Sequence, residues 1–174
     1  MKNLPNILTV SRIILSILLL AILLHGEQLG FYQASLCSFI VFALASITDF
    51  FDGYLARKYH LTSVFGEVFD PLADKMLILS AFIGLILTNE ANPWLVFIIL
   101  SREFFITGLR VVAASNNQDI KAGILGKCKT VLQGIAICFL LLHAKGGELL
   151  LWIAMIVTLY SGFDYAWHYY KKIK

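Results

Sequence analysis

Residues 49–74 hold five of the chain's 11 acidic side chains, Asp49, Asp52, Glu67, Asp70 and Asp74, between two apolar runs long enough to enter lipid. A carboxylate at membrane depth costs roughly 2.5 to 3.5 kcal/mol on insertion scales, so a fold that carries several together must give them partners. Their spacing states how. Residues three or four apart share a helix face, so Asp49 with Asp52 and Asp70 with Asp74 form two pairs, and two neighbouring helices can aim all four inward. Four oxygen ligands without an accompanying Cys or His favour Mg²⁺ or Mn²⁺ over Zn²⁺. Two such ions about 3.5 to 4 Å apart are the usual apparatus for displacement at phosphorus. A structural ion-pair network and a cation-transport path are the other readings of the same acids.

Composition sets the class. Of the 174 residues, 59% are hydrophobic and only 14% charged, with a mean hydropathy of +0.81. That excludes an ordinary soluble domain and fits a single membrane domain spanning residues 1–174. A net charge of +3 does not indicate a nucleic-acid partner, because the basic residues border apolar runs and form no patch with interleaved aromatics. Cys37, Cys128 and Cys138 lack paired spacing, which argues against a disulfide or a cysteine metal site.

The apolar runs predict an all-α membrane protein of six transmembrane helices. The runs are residues 7–24, 31–48, a third helix beginning near Asp70 and continuing through 76–88, then 94–114, 126–143 and 149–165. Eighteen residues from 31 to 48 span about 27 Å, which brings Asp49 to the inner edge of a hydrocarbon core about 30 Å thick. Pro71 is expected in the first turn of the third helix. Residues 58–65 form a loop, and Glu67 is expected to be exposed or to support the acids. Six spans place both termini on one side, and of the 14 Lys and Arg residues only Lys145 falls in an outer loop on this layout. The positive-inside bias therefore puts both termini and the Asp cluster in the cytoplasm. Tyr165, Trp167, Tyr169 and Tyr170 followed by Lys171, Lys172 and Lys174 are an inner-face exit.

The pattern D-x-x-D-G-x-x-A-R, eight residues, G-x-x-x-D-x-x-x-D is met at every fixed position by Asp49, Asp52, Gly53, Ala56, Arg57, Gly66, Asp70 and Asp74. It resembles the signature of the CDP-alcohol phosphotransferases, integral membrane enzymes that move a phosphatidyl or similar group from a CDP-linked donor to an alcohol. The resemblance implies that Asp49, Asp52 and Asp70 hold the metals. Asp74 would both reach the metals and take the proton of the attacking hydroxyl, and Gly53, Ala56 and Arg57 would meet the CDP moiety. Without a Cβ, Gly53 and Gly66 let a substrate or backbone approach closely.

The entry L-P-N-I-L-T-V-S-R looks like the start of the phosphatidylglycerophosphate synthase branch of that family. It implies a short N-terminal interfacial helix leading into the first span, Asn6 and Thr9 as contacts to CDP-diacylglycerol and Arg12 as a phosphate or carboxylate partner; Ser63 joins the donor contacts on the same ground. A helix N-cap at Asn6 and a snorkelling anchor at Arg12 are the structural alternatives. The segments S-R-E-F-F-I-T-G-L-R and G-K-C-K-T-V-L-Q look like the acceptor-side segments of that branch. Glu103 and Arg110 share a face two turns apart, as do Lys129 and Gln133 one turn apart. Arg110, Lys127 and Lys129 are then the cations available to the phosphate of sn-glycerol 3-phosphate. The resemblance further implies a homodimer in the bacterial inner membrane. Another acceptor, such as serine, inositol phosphate or a phosphatidyl lipid, keeps the same chemistry. A divalent-cation transporter is the reading from another class, and it requires a continuous polar path that the outer halves of these helices lack.

Overall fold

A computed structural model describes the backbone of residues 4–59, 64–115 and 124–173, and the side chains of these residues other than 4–8, 27, 29, 31, 49–59, 64–68, 70, 71, 172 and 173. All the described secondary structure is helical: α1 (Leu4–Leu24), a single turn α2 (Gly26–Leu29), α3 (Phe31–Tyr59), α4 (Val64–Leu87), α5 (Pro93–Ser115), α6 (Ile124–Leu141) and α7 (Gly147–Ile173). The chain packs as two compact units, Met1–Glu90 with Leu141–His143, and Ala91–Leu140 with Ala144–Lys174.

In the first unit α1 lies against both α3 and α4. The buried positions of α1 include Thr9, Arg12, Ser16 and Leu19, spaced three or four apart along one face. On α4 the facing positions are small: Ala73 and Ala81 are fully buried, and a Cβ on Gly84 would stand 2.3 Å from Leu23 Cδ1 and 3.0 Å from Leu23 Cβ. Small residues let two helix backbones approach, and close packing is what holds helices together where the solvent is lipid. Gly84→Ala should therefore destabilise the protein by about 1 to 3 kcal/mol through overpacking. Gly108 of α5 has open space around it, so Gly108→Ala should leave thermal unfolding in detergent unchanged or slightly raised; equal losses at the two glycines would refute this account of the α1–α4 contact.

The helix ends follow from local chemistry. Asn89 sits at φ 60°, with its amide bonded to the Ile86 carbonyl and that of Glu90 to Leu85, a Schellman termination of α4. His143 repeats the left-handed residue after α6 at φ 50°. In the first unit, its Nδ1 lies 2.8 Å from a Glu90 carboxylate oxygen. Asn92 caps α5, accepting from the Trp94 amide at 2.9 Å, with Pro93 at the first helical position where its missing donor costs nothing.

In the second unit α5 packs on α7, and side-chain bonds tie α6 to both of them. Its burial pattern inverts that of a water-soluble bundle. Lys129, Gln133, Thr158 and Ser161 are buried, while Trp94, Phe97, Phe105, Ile124, Leu149 and Phe163 are each more than 60% exposed. Such surfaces are unfavourable in water and ordinary in lipid. Helices α6 and α7 are long and apolar enough to cross a membrane, and α1 and α3 carry shorter apolar stretches, Thr9–Leu24 and Tyr32–Thr48.

Four features differ from the sequence reading. Helix α1 is continuous from Leu4, without a separate interfacial helix among the described residues; Pro5 in its first turn interrupts no hydrogen bond. Helix α3 runs on through positions 49–59, and α4 begins at Val64 instead of near Asp70. The acids, Ala56 and Arg57 do not break a helix, and continuing it keeps most backbone groups bonded within the helix. Pro71 consequently falls eight residues into α4, where it removes the bond to the Glu67 carbonyl. Helix α7 extends to Ile173, beyond the apolar run that ends near Tyr165. By contrast α5 and α6 match their predicted runs to within two residues at each end.

Candidate active site

The continuous helices fix where the acids lie along each axis. Asp49 is eighteen residues from the start of α3, about 27 Å at 1.5 Å per residue, and Asp70 is seventeen residues from the end of α4, about 26 Å. Both helices meet α1 within one unit. Their backbones place Asp49 and Asp52 one turn apart on α3 and Asp70 and Asp74 one turn apart on α4. The side chains of Asn6, Asp49, Asp52, Gly53, Ala56, Arg57, Gly66 and Asp70 lie outside the described residues, as does Ser63 entirely. Among the described residues no His, Cys, Asp or Glu cluster is of metal-binding size, and Asp74 is the one member of the acid set whose side chain is described.

Asp74 has a defined partner. Arg12 of α1, 3% exposed, places Nη1 2.5 Å from Asp74 Oδ1, while the Asp74 side chain is 49% exposed. This gives the carboxylate-partner alternative for Arg12 a definite contact, and it orients Asp74 through a charged bond from a neighbouring helix. Ser16 Oγ donates to the Arg12 carbonyl at 2.8 Å, and Thr9, one turn before Arg12, is 1% exposed. Arg12 is thus a buried residue on the face of α1 that meets the acid-bearing helices, well away from the exposed surface where a snorkelling anchor would sit.

The residues expected to meet the acceptor fall in the second unit. Lys129 of α6, buried, donates through Nζ to Glu103 Oε1 of α5. Arg102 donates from Nη1 to the same Glu103 oxygen at 3.0 Å and from Nη2 to Ser161 Oγ of α7, also at 3.0 Å. Gln133, one turn beyond Lys129, donates to Thr158 Oγ1 at 2.9 Å. Arg110 is exposed, with its guanidinium 5.4 Å from the centroid of the largely buried Tyr165 ring, within cation–π range. Lys127 is exposed on α6. The face shared by Lys129 and Gln133 is present as read from the sequence, but Glu103 turns to Arg102 and Lys129 instead of pairing with Arg110. Asp164 stands 3.3 Å from His168 Nδ1, one turn along the same helix.

Sequence reasoning missed the supporting face of α7. Thr158, Ser161, Gly162 and Tyr165 recur at i, i+3, i+4 and i+7, and each meets a polar or basic residue of α5 or α6. The signal was available: a stripe of polar and small side chains along one face of an otherwise apolar helix.

The family model described as CDP-alcohol phosphatidyltransferase matches residues 2–160. A Bacillus subtilis protein named CDP-diacylglycerol–glycerol-3-phosphate 3-phosphatidyltransferase is 41% identical over 181 residues, covering 95% of this chain and 94% of its own. A Rickettsia felis protein of the same name is 40% identical over 174 residues, with 94% and 93% covered. A Mycobacterium tuberculosis protein named probable phosphatidylglycerophosphate synthase is 38% identical over 169 residues, covering 94% of this chain and 79% of its own.

Proposed function

The chain belongs to the CDP-alcohol phosphatidyltransferase family, and from that membership we propose that it transfers a phosphatidyl group from CDP-diacylglycerol to sn-glycerol 3-phosphate, giving phosphatidylglycerophosphate and CMP. The observation that carries the choice of acceptor is the match, over 94% and 95% of the chain, to relatives whose names specify glycerol 3-phosphate. A phosphate dianion is held by cations, and Arg110, Lys127 and Lys129 would supply them; of these Lys129 is buried and bonded to Glu103, which also receives Arg102.

The donor set fits divalent cations: four carboxylates and no softer ligand, at one-turn spacing on two helices of one unit. Asp49, Asp52, Asp70 and Asp74 would hold two Mg²⁺ or Mn²⁺ ions. Bound there, the ions would offset the charge of the donor pyrophosphate and of the departing CMP. The protein's own part is orientation and proton transfer. Asp74, bonded to Arg12, would accept the proton of the glycerol 3-phosphate hydroxyl as that oxygen attacks the phosphorus bearing the diacylglycerol and CMP departs. Asn6, Thr9, Gly53, Ala56, Arg57, Ser63 and Gly66 would receive the CDP moiety.

Six membrane-crossing helices, a homodimeric assembly and an inner-membrane site facing the cytoplasm complete this reading. Reporter fusions or cysteine labelling at Gly26, Ala91 and Gly146 should report the outer face, and at Ser63, Asn117 and the C-terminus the inner face. Labelling of Ser63 from outside sealed cells would place the acids in the wrong compartment for a CDP-linked lipid.

The acceptor assignment has its own test. Arg110→Ala should raise the KM for glycerol 3-phosphate by at least about tenfold, roughly 1.4 kcal/mol of lost binding, with the KM for CDP-diacylglycerol little changed. If Arg110 serves only topology or anionic lipid, steady-state kinetics will show an unchanged acceptor KM and altered lipid dependence instead.

A further inference from the structure

Glu103 is a largely enclosed acid bonded to Lys129, one of the cations proposed to bind the acceptor's phosphate, which makes its presence a question: a carboxylate there repels the ligand that cation would attract. The structure answers it through geometry. One oxygen, Oε1, receives both the Lys129 ammonium and the Arg102 guanidinium. Arg102 is fixed at its far end by Ser161 Oγ at 3.0 Å. Behind it, Gly162 leaves just enough room, since a Cβ there would lie 2.7 Å from Arg102 Nε and 3.0 Å from Cγ. A chain of contacts therefore runs from Ser161 and Gly162 on α7, through Arg102 and Glu103 on α5, to Lys129 on α6. The side chains along it are 9% (Arg102), 16% (Glu103) and 11% (Lys129) exposed, so water cannot readily replace any member.

A long, flexible lysine held at one position binds an anion better than one that must first be ordered, because the rotamer entropy is already lost. The triad also keeps a net positive charge, with two cations against one carboxylate. We infer that Glu103 is a positioning residue for acceptor binding, holding the Lys129 ammonium in place for the phosphate and itself held through Arg102 by the Ser161–Gly162 face of α7. This rests on the acceptor reading proposed above and assigns to α7 the role of a fixed platform for the acceptor cations.

The test is a double-mutant cycle on the acceptor KM, using the full-length enzyme in detergent–lipid micelles. Lys129→Gln and Glu103→Gln should each raise the KM for glycerol 3-phosphate, by at least about tenfold and about fivefold respectively, with the KM for CDP-diacylglycerol unchanged. The double variant should match Lys129→Gln to within about twofold, because Glu103 has nothing left to position. Multiplicative effects in the double variant would overturn the inference while leaving Lys129 as an acceptor contact. An acceptor KM unmoved by Lys129→Gln would remove that lysine from the acceptor site, and this inference with it.

Ser161→Ala and Gly162→Ala preserve every charge and probe the far end of the chain should Glu103→Gln fail to insert. Each should raise the acceptor KM at least about threefold in the wild-type background and leave it unchanged in the Lys129→Gln background. A purely structural role predicts lowered thermal stability with the acceptor KM constant, and that result would also overturn the inference.

Discussion

Changing Asp49, Asp52, Asp70 or Asp74 singly to Asn should lower phosphatidyl transfer by at least about a hundredfold while the protein still inserts and unfolds cooperatively. The four act as one unit on the proposed reading, so losing any one disables a shared transition state and the losses will not multiply in combination. Asparagine keeps the size and hydrogen-bonding reach of aspartate and removes only the charge. The variants should also separate by role. Asp74→Asn should spare CDP-diacylglycerol binding more than Asp52→Asn does, since Asp74 is proposed to move a proton as well as hold an ion. Near-normal turnover in Asp49→Asn or Asp70→Asn would remove the two-ion arrangement, and equal loss of donor affinity at Asp52 and Asp74 would remove the division of labour between them.

The second large effect is expected at Arg12. Its guanidinium is buried and contacts Asp74 at 2.5 Å, but the Asp74 side chain is half exposed. Water can therefore rehydrate the carboxylate when the partner is lost, and Arg12→Gln should cost about 1 to 2 kcal/mol of stability, less than for a fully buried pair. Turnover should suffer more, by about a hundredfold, because a catalytic group displaced by an ångström loses its alignment with the reacting atoms. Arg12→Lys retains a charge without the planar fork and should fall between the two. The kinetics also distinguish the two partners that a buried arginine at this position can serve. A fall in kcat with little change in the KM for CDP-diacylglycerol identifies Asp74 as the partner that matters, whereas a raised donor KM with kcat retained makes Arg12 a phosphate contact.

What was legible in the sequence depended on whether the signal was local. The lysine–glutamine face of α6 follows from a spacing of four residues, and the limits of α5 and α6 follow from the extent of single apolar runs. The limits of α3 and α4 did not. Hydropathy stops at Thr48 and resumes beyond Asp74, but the helical backbone of α3 continues to Tyr59 and that of α4 already runs from Val64, with Gly53, Gly66 and Pro71 inside the two helices. Partner choice was equally hidden. Glu103 and Arg110 share a face in sequence terms, yet Glu103 pairs with its neighbour Arg102 and with Lys129, 26 residues further along on another helix. Only packing decides such a contact. The same holds for Arg12 and Asp74, 62 residues apart, where the sequence supplied both groups and a reason for each to need a partner without saying that they need each other.

The central claim is the identity of the reaction, and one measurement addresses it. Purified protein is incubated with CDP-diacylglycerol carrying a labelled phosphatidyl group, a divalent cation, and glycerol 3-phosphate, serine, inositol phosphate or a phosphatidyl lipid in turn, and the lipid product and CMP are quantified. The account predicts CMP release and labelled phosphatidylglycerophosphate in equal amounts, with glycerol 3-phosphate alone and with Mg²⁺ or Mn²⁺ present. Equal CMP release with another acceptor and none with glycerol 3-phosphate, or metal flux across vesicles with no CMP released, would contradict it.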